Sequence, residues 1–367
     1  MSAIRPLERQ DLPQVASLFE LVLGSGSSQA PPGLDAYLAR VLLDHPWADL
    51  RIPSLVYETS DGRIVGLIGS HVRRLRVDGE PVQAAYVGQL MSHPTMRDRG
   101  VGALLLRRFL AGPQDVTLTD SAEAAELRPM WERLGGKASS LGSLTWVRFF
   151  RPFCFGGNYL LDRWGRPRWK PLVRPISSAL DALAASMGRR FFTAQAPTTH
   201  AEPLTPQILL EHVSRLAAKS PVCVNYDIKF LEWVFQEMSE PTCGGQLARQ
   251  LIRDDSGRVL GWYVAYLFPG GIGEVQQLVG KPPDIPSVLD HLLHDAWRHG
   301  VAVLRGRLEP YVCEAVWARR CVIRPSSRFL VHARDRKLQD MIAAGDGLLT
   351  RLDGEYWMGL HLEAYAR

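Results

Sequence analysis

The chain has 367 residues and no run of about 18 apolar ones, so a membrane-spanning helix is excluded from the reading. No low-complexity tract interrupts it, which leaves a packed globular protein. Cysteine is scarce. The five residues, Cys154, Cys223, Cys243, Cys313 and Cys321, are odd in number and form no C-x-x-C pair. That excludes a disulfide frame and a zinc knuckle, fits a reducing compartment, and gives no expectation of a metal. The opening "MSAIRPLERQ" has no apolar core, so no secretory signal is expected and the cytoplasm is the expected location. Two well-known phosphate loops are also missing: there is no G-x-x-x-x-G-K-[ST], and no full G-x-G-x-x-G after the first strand. Beyond residues 151–175 no basic stripe is interleaved with aromatics, so no nucleic-acid partner is expected.

What is present is ordinary in bulk and informative in order. Apolar residues make up 46% and charged residues 22%, and the net charge of +5 is mild for this length. The length exceeds what one core usually serves, so two domains are expected. The first 150 residues read as mixed α/β. "IRPLERQDLPQVASLFELVL" is strand, turn and helix, and "LDAYLARVLL" is a second helix. "SLVYETSDGRIVGLIGSHVRRLRVDG" is a pair of strands turning at Asp61-Gly62. The strand "AAYVGQLMS", the helix "VGALLLRRFL", the strand "VTLT", a helix through "RPMWERL" and the strand "SLTWVRFF" follow. Residues 151–195 are rich in Arg, Pro, Gly and aromatics. They read as a connector followed by an amphipathic helix, "SSALDALAASMGRRFF", packed between domains or touching a membrane face peripherally or a substrate.

The second half echoes the first. "DGRIVG" at 61–66 returns as "SGRVLG" at 256–261, "VGQLMSHP" at 87–94 as "VQQLVGKP" at 275–282, and "MWER" at 130–133 as "VWAR" at 316–319. Three matches in one order, with spacing that drifts slowly, point to two similar domains in tandem. A solenoid would repeat more than twice.

One stretch carries chemistry. In "RDRGVG", Arg97 to Gly102, two glycines stand where a turn enters a helix. The first amides of a helix lack internal partners. Glycine lets backbone approach a ligand and take turn angles closed to other residues. With the helix dipole and the charges of Arg97 and Arg99, such a loop suits a pyrophosphate. A plain glycine turn ahead of a core helix is the competing reading.

"LMSHPTMRDRGVGALLL" resembles the coenzyme A loop of the GCN5-related N-acetyltransferases, with its Q/R-x-x-G-x-G/A pattern, fourth strand and third helix. The later "MWERLGG" is similar to that family's "YEKLGF". The resemblance is strong over residues 3–150 and weak over 196–367. It implies an α/β fold of two tandem acyl-CoA N-acyltransferase domains, the second degenerate, on α+β mixed sheets. It implies acetyl-CoA as co-substrate, held by Leu90, Met91 and Ser92 along the pantetheine and by Arg97, Asp98, Arg99, Gly100, Val101, Gly102 and Ala103 at the pyrophosphate. It also implies a bulged fourth strand that splays from the fifth, with a main-chain amide there facing the thioester carbonyl.

The proton-moving groups are less plain. The family's tyrosine acid is replaced by Trp131, matched by Trp317 in the second half, and packing is the simpler role for both. Tyr86 and Asp120 are the catalytic candidates. A half-buried strand tyrosine and a helix N-cap are their structural alternatives, and His93 reads as a loop residue. At a shift of 188, "IPSVLD" (285–290) replaces the glycine loop, so the second half is not expected to hold coenzyme, and Glu274 stands in the place of Tyr86. "YDIKFLEWVFQ" (226–236) is similar to a D-x-x-x-L-x-W-x-F segment of some envelope-linked tandem acetyltransferases, or is a core helix. The expected organisation is a coenzyme-binding domain over 1–150, a linker over 151–195, and a substrate-shaping or structural domain over 196–367. The expected activity is acetyl transfer from acetyl-CoA to a small-molecule amine, with an amino sugar or envelope-related acceptor as narrower options. A non-catalytic coenzyme-binding or scaffold protein on the same fold is the alternative.

Overall fold

A computed structural model describes residues 2–23, 31–188, 192–217, 220–240, 245–326 and 328–365. Its strands, in chain order, are β1 (Ala3–Pro6), β2 (Leu55–Glu58), β3 (Ile64–Val77), β4 (Glu80–Ser92), β5 (Val116–Ala122), β6 (Lys137–Ser139), β7 (Leu144–Phe149), β8 (His200–Pro203), β9 (Val222–Val224), β10 (Gln246–Arg253), β11 (Val259–Leu267), β12 (Ile272–Gly280), β13 (Val303–Arg307), β14 (Val322–Pro325), β15 (Arg328–Ala333) and β16 (Gly347–Leu348). They form two mixed sheets. Two compact units result, and neither is a continuous piece of chain. The first holds Met1–Ser143, Ala217–Thr242 and Ser327–Arg367, and the second holds Leu144–Leu216 and Cys243–Ser326.

In the first unit the sheet order is β1-β2-β3-β4-β5-β15-β6, with β9 added on β3 and β16 on β9. The helical spacings become helices α1 (Leu12–Leu23), α2 (Leu34–Leu42), α3 (Val101–Leu110) and α4 (Leu127–Arg133). Each of the first three buries one apolar face, as period 3.6 requires. Helix α3 lies on β3 because Gly66 has no side chain. A Cβ there would come within 2.6 Å of Val101 Cγ1 and 2.9 Å of Leu105 Cδ1. Ile68, Val72, Ala85, Val87, Leu106, Phe109 and Trp131 belong to the core beneath it.

The second unit has the order β14-β7-β13-β12-β11-β10-β8. Its hairpin copies the first in detail. Gly62 and Gly257 both take a φ of 81° at the turn. The register slip from Tyr57↔Gly66 to Glu58↔Ile64 recurs from Ile252↔Gly261 to Arg253↔Val259. The sequence repeat is therefore a structural repeat.

The units do not follow boundaries at 150 and 195. Strand β7 lies in the first 150 residues, yet it pairs with β13 and β14 in the second sheet. Strand β15 lies far beyond 195, yet it pairs with β5 and β6 in the first. The two strands take equivalent places beside their fifth strands, so exchanging them conserves both ladders. Alternating apolar residues cannot reveal which ladder a strand joins.

Residues 151–175 are not an irregular connector. They begin a helical hairpin of α5 (Pro152–Arg163) and α6 (Lys170–Met187) within the second unit. Prolines stand in the first turn of each helix, where a missing N–H costs nothing. Asp181 of α6 accepts from the amides of Phe153 and Cys154 at 2.9 Å each and so caps α5. Trp317 is 74% exposed, which corrects its assignment to packing. The four described cysteines are free, and Cys243 lies outside the described residues.

Candidate active site

Strands β4 and β5 run parallel and pair only from Ala84↔Val116 to Tyr86↔Leu118. Beyond that they separate. Against β3, the register of β4 jumps from Met91↔Leu67 to Gly88↔Gly69, leaving Gln89 and Leu90 opposite a single residue. Gln89 takes φ 48°, a left-handed conformation rare for a side-chain-bearing residue. A bulge of this kind bends a strand and re-aims its groups. The other arm is bulged as well: Asp120 and Ser121 on β5 stand opposite one residue of β15.

Past Met91 and Ser92 the chain forms a 3₁₀ turn over Pro94–Arg99, which includes Arg97 and Asp98, and then Gly100 at φ 68°. Helix α3 starts at Val101, and Leu104 N is the first amide to reach back to Gly100 O. The earlier amides of the helix, through Ala103, precede that first turn bond. A Cβ built on Gly100 or on Gly102 meets nothing within 4 Å, so space lies open over both. Asp98, Arg99 and Ala103 are exposed. The loop thus has the open, amide-bearing form that a diphosphate needs. His93 is a loop residue, its Nδ1 2.7 Å from Thr95 Oγ1.

The opposite face of the sheet is closed by the far end of the chain. Ala85 and Val87 point into the core under α3, so Tyr86 and Gly88 point away from it. A Cβ on Gly88 would lie 2.9 Å from His71 Nε2 and 3.1 Å from Glu355 Cγ. Glu355 Oε1 accepts from Thr119 Oγ1 at 2.5 Å, Asp120 N at 3.0 Å, Ser121 N at 3.3 Å and Ser121 Oγ at 2.9 Å. The splay and the bulge turn these β5 amides away from any strand, and buried amides must find a partner. Glu355 supplies it. In return, Asp120 Oδ1 accepts from the amides of Glu355 and Tyr356 at 3.3 and 3.1 Å.

Buried Arg73 fixes the segment that carries Glu355, donating to the carbonyls of Asp353 (2.5 Å) and Gly354 (3.3 Å). Its guanidinium lies over the Phe230 ring, 4.9 Å from the centroid. Asp353 accepts from Tyr226 Oη and from Thr350 N at 2.6 Å. His71 Nε2 lies 3.0 Å from Gln89 Oε1, which ties the bulge to this cluster.

Electrostatics follow from burial. Glu355 is held well above its ordinary pKa of 4.5, chiefly by loss of solvent and then by the neighbouring Asp120 carboxyl. Burial also raises Asp353. Burial and the charge of Arg73 push His71 down to about 4, so it is neutral at pH 7.

Of the residues singled out from sequence, Tyr86 and Asp120 both border the splay. Tyr86 is fully buried at the last paired position, and Asp120 lies within β5 rather than at the head of α4, so it is not an N-cap. Trp131 packs in the core. The 226–236 segment starts with Asp227 capping Phe230 N at 2.9 Å and forms the core helix Ile228–Ser239 of the first unit. Glu274 is a buried partner of Arg305 (2.5 Å) in the second unit. The loop there is lost by shortening. Residues 281–284 connect β12 to the helix Ile285–Arg298, where 93–100 serve in the first unit, so Gly102 corresponds to Pro286 by structure. Glu355, Arg73 and His71 were missed. Glu355 alone has a sequence signal, the charged and aromatic run "TRLDGEYW" at 350–357.

Residues 3–117 match the acetyltransferase (GNAT) domain family. That stretch lies within the first unit, which is thus similar to a GNAT-type acetyltransferase domain. Similar solved structures extend the fold across both units. A probable N-acyltransferase of Enterococcus faecalis V583 has a TM-score of 0.57 at 8% identity, covering 91% of this chain and 73% of the other. A GCN5-related N-acetyltransferase of Anabaena variabilis ATCC 29413 has a TM-score of 0.57 at 11% identity, with 91% and 73% covered. One from Kribbella flavida has a TM-score of 0.55 at 14% identity, with 91% and 71% covered. No curated protein matches by sequence.

Proposed function

We propose that the protein transfers an acetyl group from acetyl-CoA to a small-molecule amine, with coenzyme held by the first unit alone. The observation that carries this is the bulged, splayed β4 running into a loop with open space over Gly100 and Gly102. On this reading, Arg97 to Ala103 receive the diphosphate on backbone amides, and Leu90, Met91 and Ser92 line the arm beyond it. Acetyl-CoA supplies an acyl group activated as a thioester. Glu355 is the proton acceptor for the amine: it stands over Gly88 beside the splay, and burial together with Asp120 raises its proton affinity. Asp120 holds Glu355 through backbone bonds and raises its proton affinity, a positioning role. Tyr86 shares their face of the sheet.

Titration calorimetry with acetyl-CoA tests the binding half. Gly102→Leu should leave the fold intact, because its Cβ meets nothing, yet weaken coenzyme at least tenfold. Unchanged affinity refutes the loop assignment. Thiol release against a panel of amines and amino sugars tests the catalytic half. A second reading, coenzyme binding without turnover, is favoured by the chain's own Glu355 standing over Gly88 beside the splay. Turnover with any acceptor removes it.

A further inference from the structure

The hairpin of α5 and α6 carries an apolar face that its own unit leaves uncovered. Trp169, Leu172, Ile176, Leu180, Leu183 and Met187 recur at steps of three and four residues, one stripe of a helix, and are 41% to 82% exposed. Phe153, Tyr159, Leu160 and Trp164 add exposed apolar surface from α5. Helix α6 has 18 residues, so the stripe extends about 27 Å. A soluble monomer rarely exposes so long an apolar strip.

Charge decides what covers it. Residues 151–187 hold six basic and two acidic residues. Both acidic ones are engaged. Asp162 pairs with Lys170 at 2.7 Å, and Asp181 is buried as the cap of α5. Arg163, Arg166, Arg168 and Arg174 are exposed around the turn of the hairpin, beside Trp164 and Trp169. A two-fold dimer would set this surface against itself, and the hairpin has no spare carboxylate to meet the arginines. An anionic lipid surface satisfies both features: phosphates for the arginines and acyl chains for the stripe. Tryptophans at the boundary are the usual anchors there. No described helix is long and apolar enough to cross a membrane, so the hairpin lies on the surface. It is also held firm. Arg151 donates to Val301 O at 2.5 Å and Trp297 O at 3.1 Å, and Gly157 admits Ser177 closely.

We infer that the 152–187 hairpin docks the protein on anionic membranes. The test is co-sedimentation of the full chain with vesicles of phosphatidylcholine alone or with 30% phosphatidylglycerol (about a third anionic, within the range of charged leaflets). Binding is expected on the anionic vesicles, weakening as salt rises. Leu172→Ser/Ile176→Ser/Leu183→Ser should abolish it. Arg163→Gln/Arg166→Gln/Arg168→Gln/Arg174→Gln should weaken it about fivefold per charge, several hundredfold in all. These residues are exposed, so circular dichroism should be unchanged in both variants. Two results overturn the inference. One is no sedimentation with anionic vesicles. The other is a wild-type dimer by light scattering that the serine variant dissociates, without vesicle binding.

Discussion

Replacing Glu355 with glutamine separates its charge from its shape. The amide oxygen can take over the bonds from Thr119, Asp120 N and Ser121, and the new –NH₂ faces the Asp120 carboxyl as a donor. The packing stays, and the proton dependence goes. Glu355 has a folded pKa raised above its unfolded value. Its contribution to stability is therefore complete below about pH 4.5 and is lost as pH rises through the folded pKa. One retained proton gives a slope of about 1.4 kcal/mol per pH unit over that interval. Glu355→Gln should thus unfold like wild type near pH 4.5 and be progressively more stable than wild type above it. Urea unfolding of both proteins at half-unit steps from pH 4.5 to 8 measures the gap. A gap that is flat, or that favours wild type at pH 8, refutes the proton-holding pair. The same variant should lose about a hundredfold in acetyl transfer, the usual worth of a positioned base. A more stable and less active protein is the signature. A structural glutamate would give a less stable one.

The acid side has the opposite sign. His71 falls from 6.5 to about 4 in the folded state, so the stability it carries is present above pH 6.5 and lost as pH drops toward 4; His71→Gln should flatten this limb by about 2 kcal/mol in urea unfolding at pH 5 against pH 7. Arg73→Met should destabilise the first unit by about 3–5 kcal/mol, because Asp353 and the carbonyls of 353 and 354 lose a buried partner, and thermal unfolding should show it. A chain truncated after residue 150 should show no cooperative transition in urea, since it lacks β9, β15 and β16 of its own sheet.

Local pattern made much of the fold legible. The turn at Asp61-Gly62, the face of α1 and the strand–loop–helix around Gly100 each depend on residues close in sequence, where period and turn chemistry act directly. The long-range pairings had no such signal. Strand β15 joins β5 across more than 200 residues, and a half-buried strand looks the same in either sheet. Glu355 was illegible for a similar reason. Its partners are amides of β5, and an amide has no letter in the sequence. For Asp120 the structural alternative, a helix N-cap, does not hold. Proximity to "SAEAAELRPMW" suggested a helix cap, whereas the bulge on β5 turns it toward Glu355. The 151–175 stretch misled because prolines and glycines suggest a loop; here Pro152 and Pro171 open helices, Pro175 lies inside α6, and Gly157 lets the helices close-pack.

The repeat within the chain explains why the far end is needed at the site. Splaying a central parallel strand leaves its neighbour with buried amides and no ladder. In the second unit pairing of β12 with β13 also stops, after Val275↔Gly306, with a bulge at Gln276. There the last paired positions include the buried ion pair of Glu274 with Arg305, and the short loop leads to a helix with Pro286 in its first turn. That arrangement pairs Glu274 with Arg305 and offers no glycine cradle. In the first unit the equivalent position holds Tyr86 opposite Leu118, which carry no charge, and the freed β5 amides go to Glu355 instead. The exchange of β7 for β15 is what brings residues 345–361 into the first unit at all. Strand exchange, the Glu355 cradle and the surviving glycine loop therefore occur on the same copy. On the proposed reading, it is this copy, with a carboxyl kept protonatable by burial beside the splay, that would take the proton of the acceptor.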